Sequence, residues 1–386
     1  MINTAFILAG GKGERMLPIT ELQPKALVPI HGVPIIKLQI DQLIRNNVTK
    51  IIILTGYLGE QIRQYIDSLN YGPIVSCIES NPELTPGERL IEGFKSVSDN
   101  YILLYCDNFI PNDNIVKQQL NTKNGVSIVI QKRDKGNIYI NQDLSAVYDG
   151  KERNRSNPYV ELGYLAVDNS EFNKLIVSNR DINMTLENFS RKNTLKFNEL
   201  IGDYHSLSNF TRYINQNLHG KMIIVDRDGI LNTKMEKRKY LTSIEMLSYE
   251  YSNLEILSKL SKLGYSFIVA TNQPGVAIGT VSESFLINLH QKITNDLRLQ
   301  GISILSFYVC KHHWNDLCEC RKPKPGMLNQ AIEDFNLTRK FLIFIGDEQT
   351  DIQAAKAANI IGIEFDAQNK TLNEHKINYY IEKYQL

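Results

Sequence analysis

Short apolar runs alternate along this chain with longer stretches whose apolar residues recur at helical spacing. Runs of strand length are Thr4–Leu8, Ile51–Leu54, Ile74–Ile78 and Tyr101–Tyr105 in the first half. The second half repeats the pattern with Met222–Val225, Ser266–Ala270, Ile304–Val309 and Phe341–Ile345. Between them, Ile35–Asn46, Gly59–Leu69, Asn253–Leu263, Glu283–Leu297 and Lys324–Phe335 carry the spacing of amphipathic helices. Strands and helices joined by short loops predict an α/β fold with mostly parallel sheets in both halves. A fresh buried run at Met222 follows Asn217-Leu218-His219-Gly220-Lys221, so the seam is expected there, dividing the chain into domains 1–218 and 219–386. Residues Lys132–Ser156 are polar and weakly periodic, and are expected to form loops or an exposed hairpin of the first domain. There is no internal repeat or low-complexity tract.

Length and charge narrow the classes. A chain of 386 residues exceeds one typical core, which agrees with two domains. It has no apolar stretch of about 18 residues or more, the length of a spanning helix. The N-terminal apolar run enters a glycine loop directly, without a basic leader, and does not read as a signal peptide. A net charge of +1 gives no electrostatic case for nucleic acid or a membrane surface, so the expected partners are small molecules. Oligomeric state stays open. Of five cysteines, Cys310, Cys318 and Cys320 cluster while Cys77 and Cys106 stand apart. An odd, clustered set without an export signal points to metal binding in a reducing cytoplasm, not to a disulfide framework.

The first candidate site is the string Leu8-Ala9-Gly10-Gly11-Lys12-Gly13-Glu14-Arg15, with Pro24-Lys25 downstream. A strand feeding a glycine loop lets the backbone approach a phosphate chain and point successive N–H groups at it. Arg15 adds a fork of donors and Lys25 a point charge. The extended string, from Leu8 to Thr20 and from Pro24 to Pro34 with Thr55-Gly56-Tyr57-Leu58-Gly59-Glu60-Gln61-Ile62, resembles the sugar-phosphate nucleotidylyltransferases over about the first 215 residues. The resemblance implies a Rossmann-like nucleotidyltransferase domain. It implies that Leu8, Ala9, Gly10, Gly11, Gly13 and Arg15 bind a nucleoside triphosphate and that Lys25 binds the sugar phosphate. Asp107 and Asp203 would hold Mg²⁺. Glu161 and Gly163 would contact the sugar, the alternative for Glu161 being an edge-strand glutamate. Two departures matter. Glu14 stands where threonine is usual, and Leu84-Thr85-Pro86-Gly87-Glu88-Arg89-Leu90 keeps one glycine of a base-contacting string.

The second candidate site opens at Asp226-Arg227-Asp228-Gly229, directly after a buried run. Period-two alternation lets Asp226 and Asp228 face one pocket. There one carboxylate can attack phosphorus while the other moves protons, and a phosphate beside two anions calls for Mg²⁺. Thr271-Asn272-Gln273, Arg321-Lys322-Pro323-Lys324 and Gly346-Asp347-Glu348 follow in order. These four strings resemble the haloacid dehalogenase superfamily, and more closely the heptose 1,7-bisphosphate 7-phosphatases, over nearly all of residues 221–365. Histidinol phosphate phosphatases share the pattern. The resemblance implies a second Rossmann-like domain in which Asp226 is the nucleophile and Asp228 the acid and base. Thr271, Asn272, Gln273, Arg321 and Lys322 would bind the substrate and its phosphoryl group. Asp226, the Asp228 carbonyl and Asp347 would hold Mg²⁺. Asp351 either tunes that metal site or caps the following helix.

Cys310, His312, Cys318 and Cys320 make a soft-ligand set suited to tetrahedral, structural Zn²⁺ in a small loop, with His313 as the rival of His312. Trp314 is expected to pack under that loop, the alternative being a substrate-facing lid. The basic run Lys234–Lys239 is either solvated surface or a seat for a second phosphate. Together the two resemblances imply a bifunctional enzyme of activated-heptose synthesis. It would remove the 7-phosphate of D-glycero-D-manno-heptose 1,7-bisphosphate and then join the 1-phosphate to a nucleotide, GTP first, with the α-anomer following. The product would feed surface polysaccharide or lipopolysaccharide. The alternatives are a phosphatase with a degenerate, ligand-binding first domain, and a histidinol phosphate phosphatase.

Overall fold

The structure is a computed structural model. It describes residues 1–94, 100–150, 153–168, 170–217, 221–236, 239–366 and 369–384. Contacts divide it into two compact units, Met1–Thr20 with Pro24–Arg212, and Tyr213–Leu386 with Glu21–Gln23. The divide falls inside the helix Phe210–Asn217, ahead of the expected seam; 218–220 lie outside the described residues. No helix among the described residues is long and apolar enough to cross a membrane.

The first unit is built on a nine-stranded mixed sheet. Thr4–Ala9 lies between Lys50–Thr55 and Asn100–Tyr105, parallel to both, and Val75–Glu79 extends the parallel part. These are the four strands that periodicity predicts, with ends shifted by a residue or so. Beyond Asn100–Tyr105 the sheet turns antiparallel through Tyr159–Asp168 and Gly125–Lys132, and Leu195–Glu199 then pairs parallel to Gly125–Lys132. The expectation of a mostly parallel sheet is therefore corrected for this half. The polar stretch 132–156 includes a hairpin, Ile138–Ile140 against Ala146–Tyr148. That hairpin turns Ile138, Ala146 and Tyr148 into the core, so it is only partly the exposed element expected.

The second unit holds one five-stranded parallel sheet in the order Ile304–Cys310, Ser266–Asn272, Met222–Val225, Ile343–Gly346, Ile361–Glu364. The three inner strands are buried almost throughout, which is why they read as continuous apolar runs. Strand order reverses at Met222–Val225, and an open α/β sheet leaves its ligand crevice outside the strand ends at such a point. The parallel arrangement delivers Asp226, Thr271, Asn272, Cys310 and Asp347 to the same edge.

Candidate active sites

Asp226 follows the central strand and is buried. Its Oδ1 takes the Lys322 ammonium at 2.8 Å and accepts from the Arg227 N–H at 2.7 Å, which leaves Oδ2 for a ligand. Lys322 reaches Asp226 from the loop before the helix Gly326–Asp334, and its ammonium also meets Asp351 at 2.7 Å and the Ala270 carbonyl at 3.0 Å. Asn272 fixes this loop, accepting from the Lys322 N–H at 3.1 Å and donating to its carbonyl at 3.2 Å. Burial pushes the Asp226 carboxyl up, opposed by Lys322 and helped by the negative charges of Asp351 and Asp228. Asp228 goes the other way. Burial would raise it, but Arg227, Asn232 and Gln273 together hold it below the ordinary carboxylate range. The Arg227 guanidinium spans both oxygens at 2.9 Å, Asn232 donates to Oδ1 at 2.9 Å, and Gln273 donates to Oδ2 at 2.8 Å and to the Thr271 hydroxyl at 2.9 Å.

Carboxylate oxygens of Asp226, Asp347 and Asp351 lie within 4.8 Å of one another. Asp347 Oδ1 is buried with no hydrogen-bond partner, while Oδ2 takes Lys234 at 2.8 Å. A buried acceptor without a donor is costly unless a cation completes it. Gly229 leaves the approach open: a Cβ there would come within 2.5 Å of the Asp347 carboxylate. Of its two suggested roles, Asp351 takes that of helix cap. It accepts from the Glu348 N–H at 3.0 Å in a capping box and pairs with Lys322. Asp226, Asp228, Thr271, Gln273 and Lys322 line a cleft of about 790 Å³ that also takes in Arg321, Lys239, Tyr240 and Trp314. Trp314 is 47% exposed on its rim, which corrects the expectation that it packs under the loop. Of the basic run, Lys234 is drawn to Asp347 and Glu348 and Lys239 pairs with Glu236; Lys237 and Arg238 lie outside the described residues.

The Cys/His set comes together as expected. Cys310 Sγ is 3.7 Å from Cys318 Sγ and 3.8 Å from His312 Nδ1, which is 3.1 Å from Cys320 Sγ. All four ligand atoms lie within 4.8 Å of one another. His313 is engaged elsewhere, its ring tilted against Trp314 with centroids 3.9 Å apart and accepting from the Asn315 N–H.

In the first unit, Lys12, Gly13, Glu14, Arg15 and Lys25 line a second cleft. Gly13 takes φ +69°, and a Cβ on Gly11 would meet nothing, so the loop is open at that point. Lys25 faces Asp107 at 3.5 Å. Asp203 is not set opposite Asp107: Leu207 donates its N–H to the Asp107 carbonyl, and Asp203 lies in a separate shallow cleft with Pro111–Asn114. Glu161 is on Tyr159–Asp168, which is an inner strand of the sheet and not an edge strand, although Glu161 itself pairs only with Ile130 and the pairing with Asn100–Tyr105 begins at Tyr164. A bulge after Glu161 with Gly163 at φ +76° turns its carboxyl onto the Gly163 N–H, and burial, with the nearby Asp107 charge, pushes it up to about 7.

Gly10 has a neighbour that the sequence did not announce. The Arg89 guanidinium, 2% exposed, would sit 1.9 Å from a Cβ on Gly10 and 2.2 Å from one on Gly56. It donates to the carbonyls of Thr55, Pro82 and Leu84 and to the Ser80 hydroxyl. Gly10 is thus glycine because an arginine lies against it, and Thr85 and Glu88 of the same string form a helix capping box.

Residues 4–139 match the family described as nucleotidyl transferase, and 185–363 the family described as haloacid dehalogenase-like hydrolase. The second match begins inside the first unit, to whose sheet Leu195–Glu199 belongs. The chain is 36% identical over 147 residues to a D-glycero-alpha-D-manno-heptose-1,7-bisphosphate 7-phosphatase of Photorhabdus laumondii, covering 36% of this chain and 79% of that protein. The chain belongs to the heptose-1,7-bisphosphate 7-phosphatase family. A D-glycero-beta-D-manno-heptose-1,7-bisphosphate 7-phosphatase of Pasteurella multocida is 33% identical over 171 residues, covering 42% of this chain and 91% of that protein. The histidine biosynthesis bifunctional protein HisB of Campylobacter jejuni subsp. doylei is 32% identical over 150 residues, covering 38% of this chain and 42% of that protein. This heptose bisphosphate phosphatase family member therefore carries a haloacid dehalogenase-type phosphatase domain and a nucleotidyltransferase domain on one chain.

Proposed function

We propose that this enzyme catalyses two consecutive steps of nucleotide-activated heptose synthesis. The C-terminal domain hydrolyses the 7-phosphate of D-glycero-D-manno-heptose 1,7-bisphosphate. The N-terminal domain transfers a nucleotidyl group, GMP from GTP as first choice, to the heptose 1-phosphate so formed. The observation that carries this reading is the pairing of the two domains: a phosphatase that spares the 1-phosphate makes the nucleophile a sugar-phosphate nucleotidylyltransferase needs.

In the phosphatase, Asp226 Oδ2 attacks phosphorus, the bond to the C7 oxygen breaks, and that oxygen takes its electron pair and a proton from Asp228. Water then attacks the aspartyl phosphate, giving a proton to Asp228 and freeing Asp226. The clamp of Arg227, Asn232 and Gln273 holds Asp228 ionised before substrate binds; a phosphate dianion entering beside it raises its proton affinity, so that it takes from solvent the proton it then gives to the C7 oxygen. Lys322, the Thr271 hydroxyl and the Asn272 amide face the phosphoryl oxygens, while Gln273 holds Thr271 and Asp228 in place. Arg321, whose Nη1 is buried without a hydrogen-bond partner, faces the substrate from the same cleft. Asp226, Asp347 and the Asp228 carbonyl fit Mg²⁺, given the unpartnered Asp347 Oδ1, and the ion supplies charge neutralisation between nucleophile and phosphate. Cys310, His312, Cys318 and Cys320 fit structural Zn²⁺ with no position left for substrate, pinning the loop that presents Arg321 and Lys322.

In the transferase, the Gly10–Gly13 loop and Arg15 hold the triphosphate, Lys25 holds the sugar phosphate and Asp107 holds Mg²⁺. A 1-phosphate oxygen attacks the α-phosphorus, its bond to the β-bridging oxygen breaks, and pyrophosphate leaves. Such chemistry needs placement and charge more than covalent help.

Two other readings have an observation behind them. The HisB relative favours histidinol phosphate as substrate. Asp203, the second expected Mg²⁺ carboxylate, is not set opposite Asp107, which favours a first domain that binds ligand without turning it over. Phosphate release from heptose bisphosphate and from histidinol phosphate, with pyrophosphate release from each of the four nucleoside triphosphates, separates them. Preference for histidinol phosphate, or no pyrophosphate with any nucleotide, would overturn the corresponding half.

A further inference from the structure

Behind Asp228 runs a buried chain of contacts that ends on a histidine. His290 lies on the helix Glu283–Leu299 and is 4% exposed. Its ring stacks on Phe307, of the neighbouring strand Ile304–Cys310, with centroids 4.0 Å apart and planes 14° from parallel. Its Nε2 lies 3.3 Å from Arg227 Nη1. A guanidinium carries donors only, so Nε2 is the acceptor and the ring proton sits on Nδ1. Burial, with the charges of Arg227 and Lys311 beside it, drives the imidazole well below its ordinary range and keeps this neutral form. Arg227, itself 3% exposed, turns its opposite edge to Asp228. The guanidinium is thus gripped on one edge by a stacked, immobile ring and on the other by the carboxylate.

We propose that His290 is a positioning residue for the phosphatase step, fixing Arg227 so that Asp228 is held for proton transfer to the leaving oxygen. This rests on the reading of Asp228 as general acid. Without His290 the guanidinium gains freedom about its stem, and a carboxylate oriented by it loses aim, which proton transfer punishes because it depends on hydrogen-bond reach.

The leaving group separates orientation of an acid from a general structural role. A sugar oxygen needs a proton to depart, whereas p-nitrophenolate leaves without one. For both substrates kcat/KM reports events up to formation of the aspartyl phosphate, so later hydrolysis does not mask the difference. The full chain with Mg²⁺ is assayed on heptose 1,7-bisphosphate and on p-nitrophenyl phosphate as wild type, His290→Leu, His290→Gln and Asp228→Asn. His290→Leu is expected to lose about 10- to 100-fold on the heptose and less than about threefold on p-nitrophenyl phosphate. His290→Gln, whose amide oxygen can accept from Arg227, is expected to recover most of the loss. The ratio between substrates does not depend on how much variant is folded. Equal losses on both substrates, with Asp228→Asn selective for the heptose, would overturn the role of His290 alone. An Asp228→Asn variant indifferent to the leaving group would overturn the acid assignment and this inference with it. The wild type offers a check that needs no variant. Long-range ¹H–¹⁵N spectra should show His290 protonated on Nδ1 only, and an Nε2–H tautomer or an imidazolium would contradict the contact.

Discussion

At each of its two sites this chain sets a lysine against an aspartate at the end of a strand, and the two pairs could hardly be held more differently. Lys322 and Asp226 are 2.8 Å apart with side chains 3% and 11% exposed, and Asp351, Asn272 and the Ala270 carbonyl fix the lysine further. Lys25 and Asp107 are 3.5 Å apart with side chains 13% and 23% exposed. The proposed chemistry accounts for the contrast. A protein carboxylate that must itself bond to phosphorus has to be aimed before substrate arrives, and burial makes its charge partners strong. A transferase that joins two ligands can leave its charges loose, since ligands and metal complete the site. In this chain the tightly held pair is the one whose carboxylate is itself the proposed reactant.

The contrast can be broken from either side. The largest effect is expected from Asp226→Asn, which should lower phosphate release by about 10⁴-fold or more while leaving pyrophosphate formation from supplied heptose 1-phosphate intact. A coupled colorimetric assay of both products reads this, and loss of both activities would mean the sites are not independent. Asp107→Ala should lower pyrophosphate formation by at least about 100-fold with phosphatase unchanged. No loss there would make the first domain a binding module. Arg89→Met should destabilise the first unit by about 2–4 kcal/mol, because buried acceptors lose a donor, and denaturant unfolding measures it. Cys318→Ser, or zinc withdrawal by a chelator selective over Mg²⁺, should lower phosphatase turnover about 10-fold by loosening the Arg321–Lys322 loop, with the transferase spared. The smallest effect concerns Glu161. Its folded value of about 7 lies above the ordinary carboxyl value of 4.5, so the folded state holds its proton longer than the unfolded chain. Stability from this group is complete below about pH 4.5 and declines as pH rises to about 7, by about 1–2 kcal/mol after solvent screening. Glu161→Gln should flatten that slope in metal-free thermal melts.

What the sequence disclosed follows from how local each signal is. Met222–Val225 and the carboxylates after it were legible because a parallel strand is a short apolar run and its ligand residues lie at its end. The same holds for Thr271 and Asp347. The antiparallel half of the first sheet was harder to read. Tyr159–Asp168 carries a bulge at Gly163 that breaks alternation, and Gly125–Lys132 is buried on both faces, so neither shows a clean period of two. Least legible were residues that act across distance. Arg227, Arg89 and Lys234 look like ordinary surface charges in sequence, and only the fold shows the first two buried and the third drawn to Asp347. Asp203 illustrates the converse: a residue placed by motif spacing is not set opposite Asp107 once pairing fixes the register of its segment.

The central claim is that the two sites share one intermediate, and phosphorus NMR of the full chain with Mg²⁺, GTP and heptose 1,7-bisphosphate of each anomer tests it directly. The account predicts that the 7-phosphate resonance is lost first, with the 1-phosphate retained, and that pyrophosphate and a sugar diphosphate then grow at the expense of the 1-phosphate. Loss of the 1-phosphate, pyrophosphate formed while the 7-phosphate is still attached, or 7-phosphate loss followed by no transfer from GTP, ATP, CTP or UTP would contradict it.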